Sequence, residues 1–143
     1  MQTENPFAKR IIGFAMKVHG KLGPGFSERV NQNALVVECS RNGVEVEAFK
    51  EIKVFYEGVL VGEFVADMVV RDVASGEVLL IENKAVSMLI KSHSLQLVNY
   101  LNATEIDNGL LLNFGSDSLE FRTKTRRFRA TTGDADLTAS PIP

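Results

Sequence analysis

Val78-Leu79-Leu80-Ile81-Glu82-Asn83-Lys84-Ala85-Val86 is an apolar run broken by an acid and a lysine two positions apart. Upstream, Phe64-Val65-Ala66-Asp67-Met68-Val69-Val70 is a second such run, broken by one acid. Both have the length and composition of strands. A charged side chain in or beside a buried strand is costly unless it is paired or holds a cation. Alternation puts Glu63, Val65, Asp67 and Val69 on one face of the first strand, and Val78, Leu80, Glu82 and Lys84 on one face of the second. Asp72 to Gly76 is a polar turn between them, so in a suitable register Asp67, Glu82 and Lys84 converge.

Upstream of these strands, Ile52-Lys53-Val54-Phe55-Tyr56, Glu57-Gly58 and the run from Val59 predict a hairpin turning at or near Glu57-Gly58. Two helices are expected before it. Asn5 can cap the first, with Pro6 at its first position and Phe7, Ile11, Phe14, Ala15 and Val18 at inward spacing. Gly13 in this helix suggests close packing against a neighbour. The helix ends by Gly20 or Gly23. Ser27 caps the second, which runs to about Asn42-Gly43. Val30, Ala34 and Val37 form one stripe on it, and Glu28, Asn31, Gln32 and Leu35 another. Glu28 lies in the first turn, where the helix dipole favours an acid.

Downstream, a helix is expected over roughly Lys91 to Ala103, started by Ser92 or a neighbour, with His93, Gln96 and Tyr100 on one face. Gly109-Leu110-Leu111-Leu112-Asn113-Phe114 reads as a central strand buried on both faces. Leu119 to Phe128 reads as an edge strand, and the small, polar residues 130–143 as a mobile tail after a single domain spanning 6–129.

The chain has 143 residues, a net charge of −2 and 45% hydrophobic residues, as expected of one globular domain without general attraction for nucleic acid or anionic membrane. A lone cysteine, Cys39, excludes an intrachain disulfide and reads as a small core residue. No run approaches a membrane span, and the first residues lack the layout of a secretory signal, so the expected location is intracellular and cytoplasmic, with no membrane partner. His19 sits near a helix end, where the dipole suffices to account for it.

Asp67 and Glu82 with Lys84 could hydrolyse a phosphodiester. Hard carboxylate oxygens suit Mg2+, or Mn2+, with the Asn83 carbonyl as a further ligand and Asn83's side chain on the opposite face. Lys84 would hold the nucleophile and stabilise charge on the phosphate. The plainer account is a strand-edge ion pair of Lys84 with Glu82 or Asp67. Arg122, Lys124, Arg126, Arg127 and Arg129 could contact a phosphate backbone or could only protect an edge strand with charge. His93 could touch substrate or be a partly buried structural histidine.

Asp67, then Glu82-Asn83-Lys84, then Gln96-Leu97-Val98-Asn99-Tyr100 resembles the D…(D/E)xK…QxxxY pattern of the PD-(D/E)XK nuclease superfamily, in particular its RecB-type exonuclease branch. Leu22-Gly23-Pro24-Gly25-Phe26-Ser27-Glu28, with Asn99 to Thr104 and Gly109 to Gly115, resembles the GxxExxY family of small bacterial and archaeal proteins. The likeness covers about Ile11 to Phe128. It implies an α/β fold with a restriction-endonuclease-like core, a mixed, mainly four-stranded sheet flanked by helices in the order α-β-β-β-α-β. By the same resemblance Asp67 and Glu82 are metal ligands and Lys84 the catalytic lysine. Gln96 orients the nucleophile, Tyr100 approaches the substrate phosphate, and Glu28 faces the same cleft and can complete the metal site. Where that family has a tyrosine three residues after its glutamate, this chain has Asn31, which puts substrate stacking near Glu28 in question. The implied activity is a Mg2+- or Mn2+-dependent nuclease acting on DNA or RNA. The alternatives are a non-catalytic module that keeps the fold and binds nucleic acid or protein, and a subunit of a homodimer or larger assembly.

Overall fold

A computed structural model describes residues 5–126. The expected strand and tail residues beyond Arg126, including Arg127 and Arg129, lie outside the described residues. Helix α1, Pro6–Leu22, starts where Asn5 Oδ1 accepts the Ala8 N–H at 3.0 Å, and it ends at Gly23 (φ 76°). Helix α2, Glu28–Arg41, is capped by Ser27, whose Oγ accepts the Val30 N–H at 3.4 Å. Strands β1, Val44–Tyr56, and β2, Val59–Asp72, form a long antiparallel hairpin. Its turn is at Glu57 (φ 48°) and Gly58 (φ 80°). Two positive φ values match the twist of a hairpin. Strand β3, Val78–Lys84, helix α3, Lys91–Thr104, strand β4, Asn108–Asn113, and strand β5, Glu120–Thr125, complete the order.

The sheet is five-stranded in the order β1-β2-β3-β4-β5, antiparallel except for the parallel pair β3 and β4. The expected core is therefore present, with β5 extending it at one edge and α1 preceding it. Residues of β3 and β4 alternate between two cores. Leu79, Ile81, Leu110 and Leu112 pack under α1 and α2 with Phe7, Ile11, Ala15 and Leu35. Leu80 and Leu111 pack under α3 with Leu97, Leu101, Ile52 and Ala66. A strand buried on both faces has no polar face, which is why Gly109 to Phe114 reads as a continuous apolar run.

The expectation about Gly13 is overturned. A Cβ built there meets nothing within 4 Å, so no neighbour packs close enough to require glycine. Glycine inside a helix is less favourable than alanine by roughly 1 kcal/mol. Gly13→Ala is therefore expected to raise stability by about that amount, read as a higher denaturation midpoint with unchanged slope.

Helix α2 turns its more polar stripe inward. Asn31, Gln32, Leu35 and Cys39 are buried, while Val30 and Val37 are exposed. For Gln32 the reason lies beneath the helix, where β2 and β3 stop pairing and leave the Asp67 carbonyl for its side chain to satisfy.

Candidate active site

The β2–β3 ladder runs from Arg71↔Val78 to Met68↔Ile81 and then ends. One step further, the two acids take over the role of the backbone acceptors. Glu82 Oε2 accepts the Asp67 N–H at 3.0 Å, and Asp67 Oδ2 accepts the Asn83 N–H at 2.7 Å. The carboxylates are thus held across the point where the strands part. Phe49, facing Asp67 from β1 between the pairs Ala48↔Met68 and Lys50↔Ala66, has φ 57°. This is left-handed backbone that a bulky residue enters at an expense of about 1–3 kcal/mol. The Arg29 guanidinium stacks over its ring at 4.7 Å.

Glu82 is buried and Asp67 half-buried. Burial, followed by the charge of Asp67, pushes the Glu82 carboxyl up to about 7; the Asp67 N–H bond and Lys84 oppose this. Asp67 is raised as well, chiefly by burial and then by Glu28, against the Asn83 N–H bond and Lys84. Glu28, exposed in the first turn of α2, therefore adds negative potential to both acids. Two acids destabilised by desolvation and by each other are the arrangement a cation relieves.

Lys84 does not form the ion pair that the plainer reading expected. Its Nζ donates to Gln96 Oε1 at 3.3 Å, and among the described residues no ion pair within 4.0 Å joins it to either acid. Tyr100, one turn beyond Gln96 on α3, stacks on Phe64 with ring centroids 3.7 Å apart and planes 14° from parallel. Its hydroxyl is raised above its ordinary value by burial, and then by Glu82 and Asp67, against a side-chain hydrogen bond with Gln96, so it stays neutral. Asp67, Glu82 and the Lys84–Gln96 pair are thus neighbours at the end of the β2–β3 ladder, and the acids act electrostatically on Tyr100 and are acted on by Lys84 and Glu28.

Other residues singled out in the sequence fall elsewhere. Helix α3 starts after Ile90 instead of Ser92, and His93, in its first turn, reaches back so that its Nδ1 accepts the Ile90 N–H at 3.0 Å. His19 reaches beyond its helix end: its Nε2 lies 2.9 Å from the Ser116 carbonyl oxygen. Asn31 is fully buried; its Nδ2 donates to the Ser27 carbonyl at 3.0 Å, and among the described residues its Oδ1 has no partner. Arg122 and Lys124 lie on β5, separated from β3 by β4. The registers place Arg122 level with Glu82 through Leu111, two strands and roughly 10 Å across the sheet. Arg126 pairs with Asp107 at 3.3 Å.

The sequence reading missed two supports. Gln32, from α2, donates from Nε2 to the Asp67 carbonyl at 3.1 Å and accepts from Asn83 Nδ2 at 3.0 Å. The amides on α2's inward stripe were the available signal. The second is Asn113, at the end of β4. Its side chain accepts the Val86 and Gly115 N–H groups at 2.9 and 3.0 Å and donates to the Val86 carbonyl and Glu120 Oε1 at 3.0 and 2.8 Å. Glu120 Oε1 also accepts the Leu89 N–H at 2.9 Å. The loop that follows Lys84 is thereby tied to β4 and β5. Nothing local in the sequence marks Asn113, whose partners come from three separate segments.

Asp67 and Glu82 fit a hard divalent cation that keeps several of its waters, since Mg2+ is commonly bound through one or two carboxylates. Among the described residues no cluster of three or more acids, histidines or cysteines encloses an ion. No described helix is long and apolar enough to cross a membrane.

A family model described as the PD-(D/E)XK nuclease superfamily matches residues 5–128. No curated protein matches the chain. Among solved structures, the crystal structure of SSO0001 is similar, with a TM-score of 0.57 and 16% identity over 87% of this chain. That likeness concerns the fold, and the match covers 64% of the length of SSO0001.

Proposed function

The chain belongs to the PD-(D/E)XK nuclease superfamily, and on that premise we propose that it is a divalent-metal-dependent nuclease hydrolysing phosphodiester bonds in DNA or RNA. The observation that carries this reading is the pair of half-buried Asp67 and buried Glu82, held across the parting strands with Lys84 beside them and bound to Gln96. The likeness of Leu22 to Glu28 and of Gly109 to Gly115 to the GxxExxY family, and of the whole pattern to the RecB-type branch, supports the same assignment at a finer level.

In this mechanism Asp67 and Glu82 would hold Mg2+ or Mn2+, with Glu28 available from α2. A divalent cation, when bound, polarises the phosphoryl group and lowers the pKa of water. Lys84, steadied by Gln96 Oε1, keeps its ammonium at the cleft and stabilises charge developing on the phosphate. Tyr100 offers its neutral hydroxyl to a phosphate oxygen. Arg122 and Lys124 supply charge for the nucleic-acid backbone further across the sheet.

The test is cleavage of single- and double-stranded DNA and RNA, with Mg2+ or Mn2+ and with chelator. Lys84→Ala is expected to lower kcat on the order of 10²–10³-fold while the protein still binds Mn2+. Equal cleavage by wild type and Lys84→Ala sinks the mechanism, and equal cleavage in chelator sinks its metal dependence. Nucleic-acid binding that persists without Asp67 and Glu82 and never leads to cleavage identifies a non-catalytic module instead.

A further inference from the structure

We propose that Gln32 is a positioning residue that fixes the gap between Asp67 and Glu82 from behind the sheet and so sets the affinity of the site for a divalent cation. The proposal rests on the metal-dependent reading above.

The argument starts from the place where the ladder ends. Beyond Met68↔Ile81 no backbone pair holds β2 to β3, yet the two carboxylates that follow must keep a fixed separation to share one ion. Two links on the cleft side are the acids' own bonds to Asp67 N–H and Asn83 N–H. Those acceptor oxygens belong to the same groups that must also face a cation, so they are poor anchors on their own. The opposite side carries the remaining link. Gln32 spans the gap, giving its Nε2–H to the Asp67 carbonyl on β2 and taking the Asn83 Nδ2–H on β3. Each strand residue is thereby held twice, Asp67 through its backbone on both faces and Asn83 through its N–H and its side chain. Together these bonds form a closed circuit around the parting point.

The chemistry of the residue fits this task and little else. Gln32 is 4% exposed, on a helix face shared with Leu35 and Cys39, where a buried amide is unfavourable unless both its ends are bonded. Both ends are bonded, and both partners are residues of the site. Glutamate there would set a third carboxylate against the Asp67 carbonyl, and asparagine would be one methylene short of the span. Among the described residues Gln32 bonds the Asp67 carbonyl and the Asn83 side chain and neither carboxylate, so its effect on an ion passes through the strand positions. Residues that orient metal ligands in this indirect way typically change affinity by 10–100-fold when lost.

Gln32→Met keeps the volume and removes both bonds. Leu35→Ala, one turn along the same buried stripe, loosens the α2 interface without touching the circuit. Mn2+ binding to the full chain, followed by calorimetry or by the loss of the free-ion electron paramagnetic resonance signal, reads the effect without recourse to activity. The expected result is that both variants lower Tm, while only Gln32→Met raises the Mn2+ Kd, by about 10–100-fold. Unchanged affinity in Gln32→Met, with wild type binding Mn2+, overturns the proposal and leaves the nuclease reading standing. Equal weakening in both variants overturns it too, because general loosening then accounts for the effect. No Mn2+ binding by wild type overturns the metal-dependent reading and this proposal together. Should Gln32→Met fail to fold, Asn83→Ala removes one arm of the circuit and leaves Gln32 on the Asp67 carbonyl. A Kd rise of several-fold supports the proposal there, and an unchanged Kd overturns it.

Discussion

Glu82→Gln is expected to make the metal-free protein more stable at pH 8 and to abolish cleavage. The Glu82 carboxyl is raised from 4.5 to about 7, with burial as the leading cause. A carboxyl raised in the folded state favours the protonated form there. Its stability contribution is complete below the unfolded value near 4.5 and is lost as pH rises through the folded value near 7. By pH 8 the folded protein carries a buried, repelled carboxylate, at an expense of up to roughly 3 kcal/mol relative to its unprotonated unfolded chain. Asp67 adds to this in the same direction. Glutamine removes the charge but keeps an oxygen for the Asp67 N–H, and its amide can donate to the Asp67 carboxylate. The gain should be near zero at pH 4.5, grow as pH rises, and level off above about 7. Urea denaturation in chelator at pH 5 and pH 8 measures it. A Glu82→Gln protein less stable than wild type at pH 8 would contradict the account of the acid pair.

The same experiment repeated with Mg2+ or Mn2+ reverses the ranking. A ligand that binds only the folded state stabilises it by about 2.7 kcal/mol at a hundredfold excess over its Kd. Wild type should gain this at pH 8 and progressively less as pH falls through about 7, where protons compete for Glu82. Glu82→Gln should gain little at any pH. On the proposed reading such a site would destabilise its own fold until loaded, the usual trade between stability and function.

Gly115→Ala is expected to destabilise the fold by about 3 kcal/mol or more and to disturb the site with it. A Cβ at this position would lie 2.5 Å from the Val86 nitrogen and oxygen and 2.6 Å from the Ala85 carbonyl carbon. All three are backbone atoms, so no rotamer change relieves the contact, and overpacking of this kind sits at or beyond the usual 1–3 kcal/mol. For a domain whose total stability is about 5–15 kcal/mol, that is a large fraction. The segment displaced is the one that leaves Lys84 and is tied down by Asn113 and Glu120. The variant should therefore show a lower Tm and, in the folded fraction, weaker cleavage with little change in Mn2+ affinity, because Asp67 and Glu82 hang from other bonds. Gly109→Ala is the comparison. There the Cβ meets Leu97 and Leu101 side-chain tips at 2.9–3.1 Å, which can turn, so a smaller loss of Tm is expected. Equal stability of Gly115→Ala and wild type would refute the close approach.

The positions of the candidate site stand out in the sequence because each breaks a strong local pattern. An acid inside Phe64 to Val70, and an acid and lysine inside Val78 to Val86, stand out against periodicity, and alternation alone puts Glu82 and Lys84 on one face. Gln96 and Tyr100 follow from helical spacing in the same way. Gly13 misled, since a glycine in a helix signals close packing only when a neighbour is there, and tertiary placement left that side open. His93 was half legible: its helix face followed from spacing, but its bond back to the Ile90 N–H depends on the conformation at Ile90.

By itself, then, the sequence determined the elements, their order and which side chains share a face, because those depend on residues close along the chain. Whether Asp67 and Glu82 meet depended on where the β2–β3 ladder stops, and that was decided by the tertiary structure. It put Lys84 on Gln96 and away from an ion pair, turned the polar stripe of α2 inward so that Gln32 reaches both strands, and made Asn113 the tie for the loop after Lys84. The physical reason is common to all three. Each is a bond between residues far apart along the chain, Gln32 and Asn113 satisfying backbone groups left where strand pairing ends, and which groups those are is fixed only when the helices and strands have packed together.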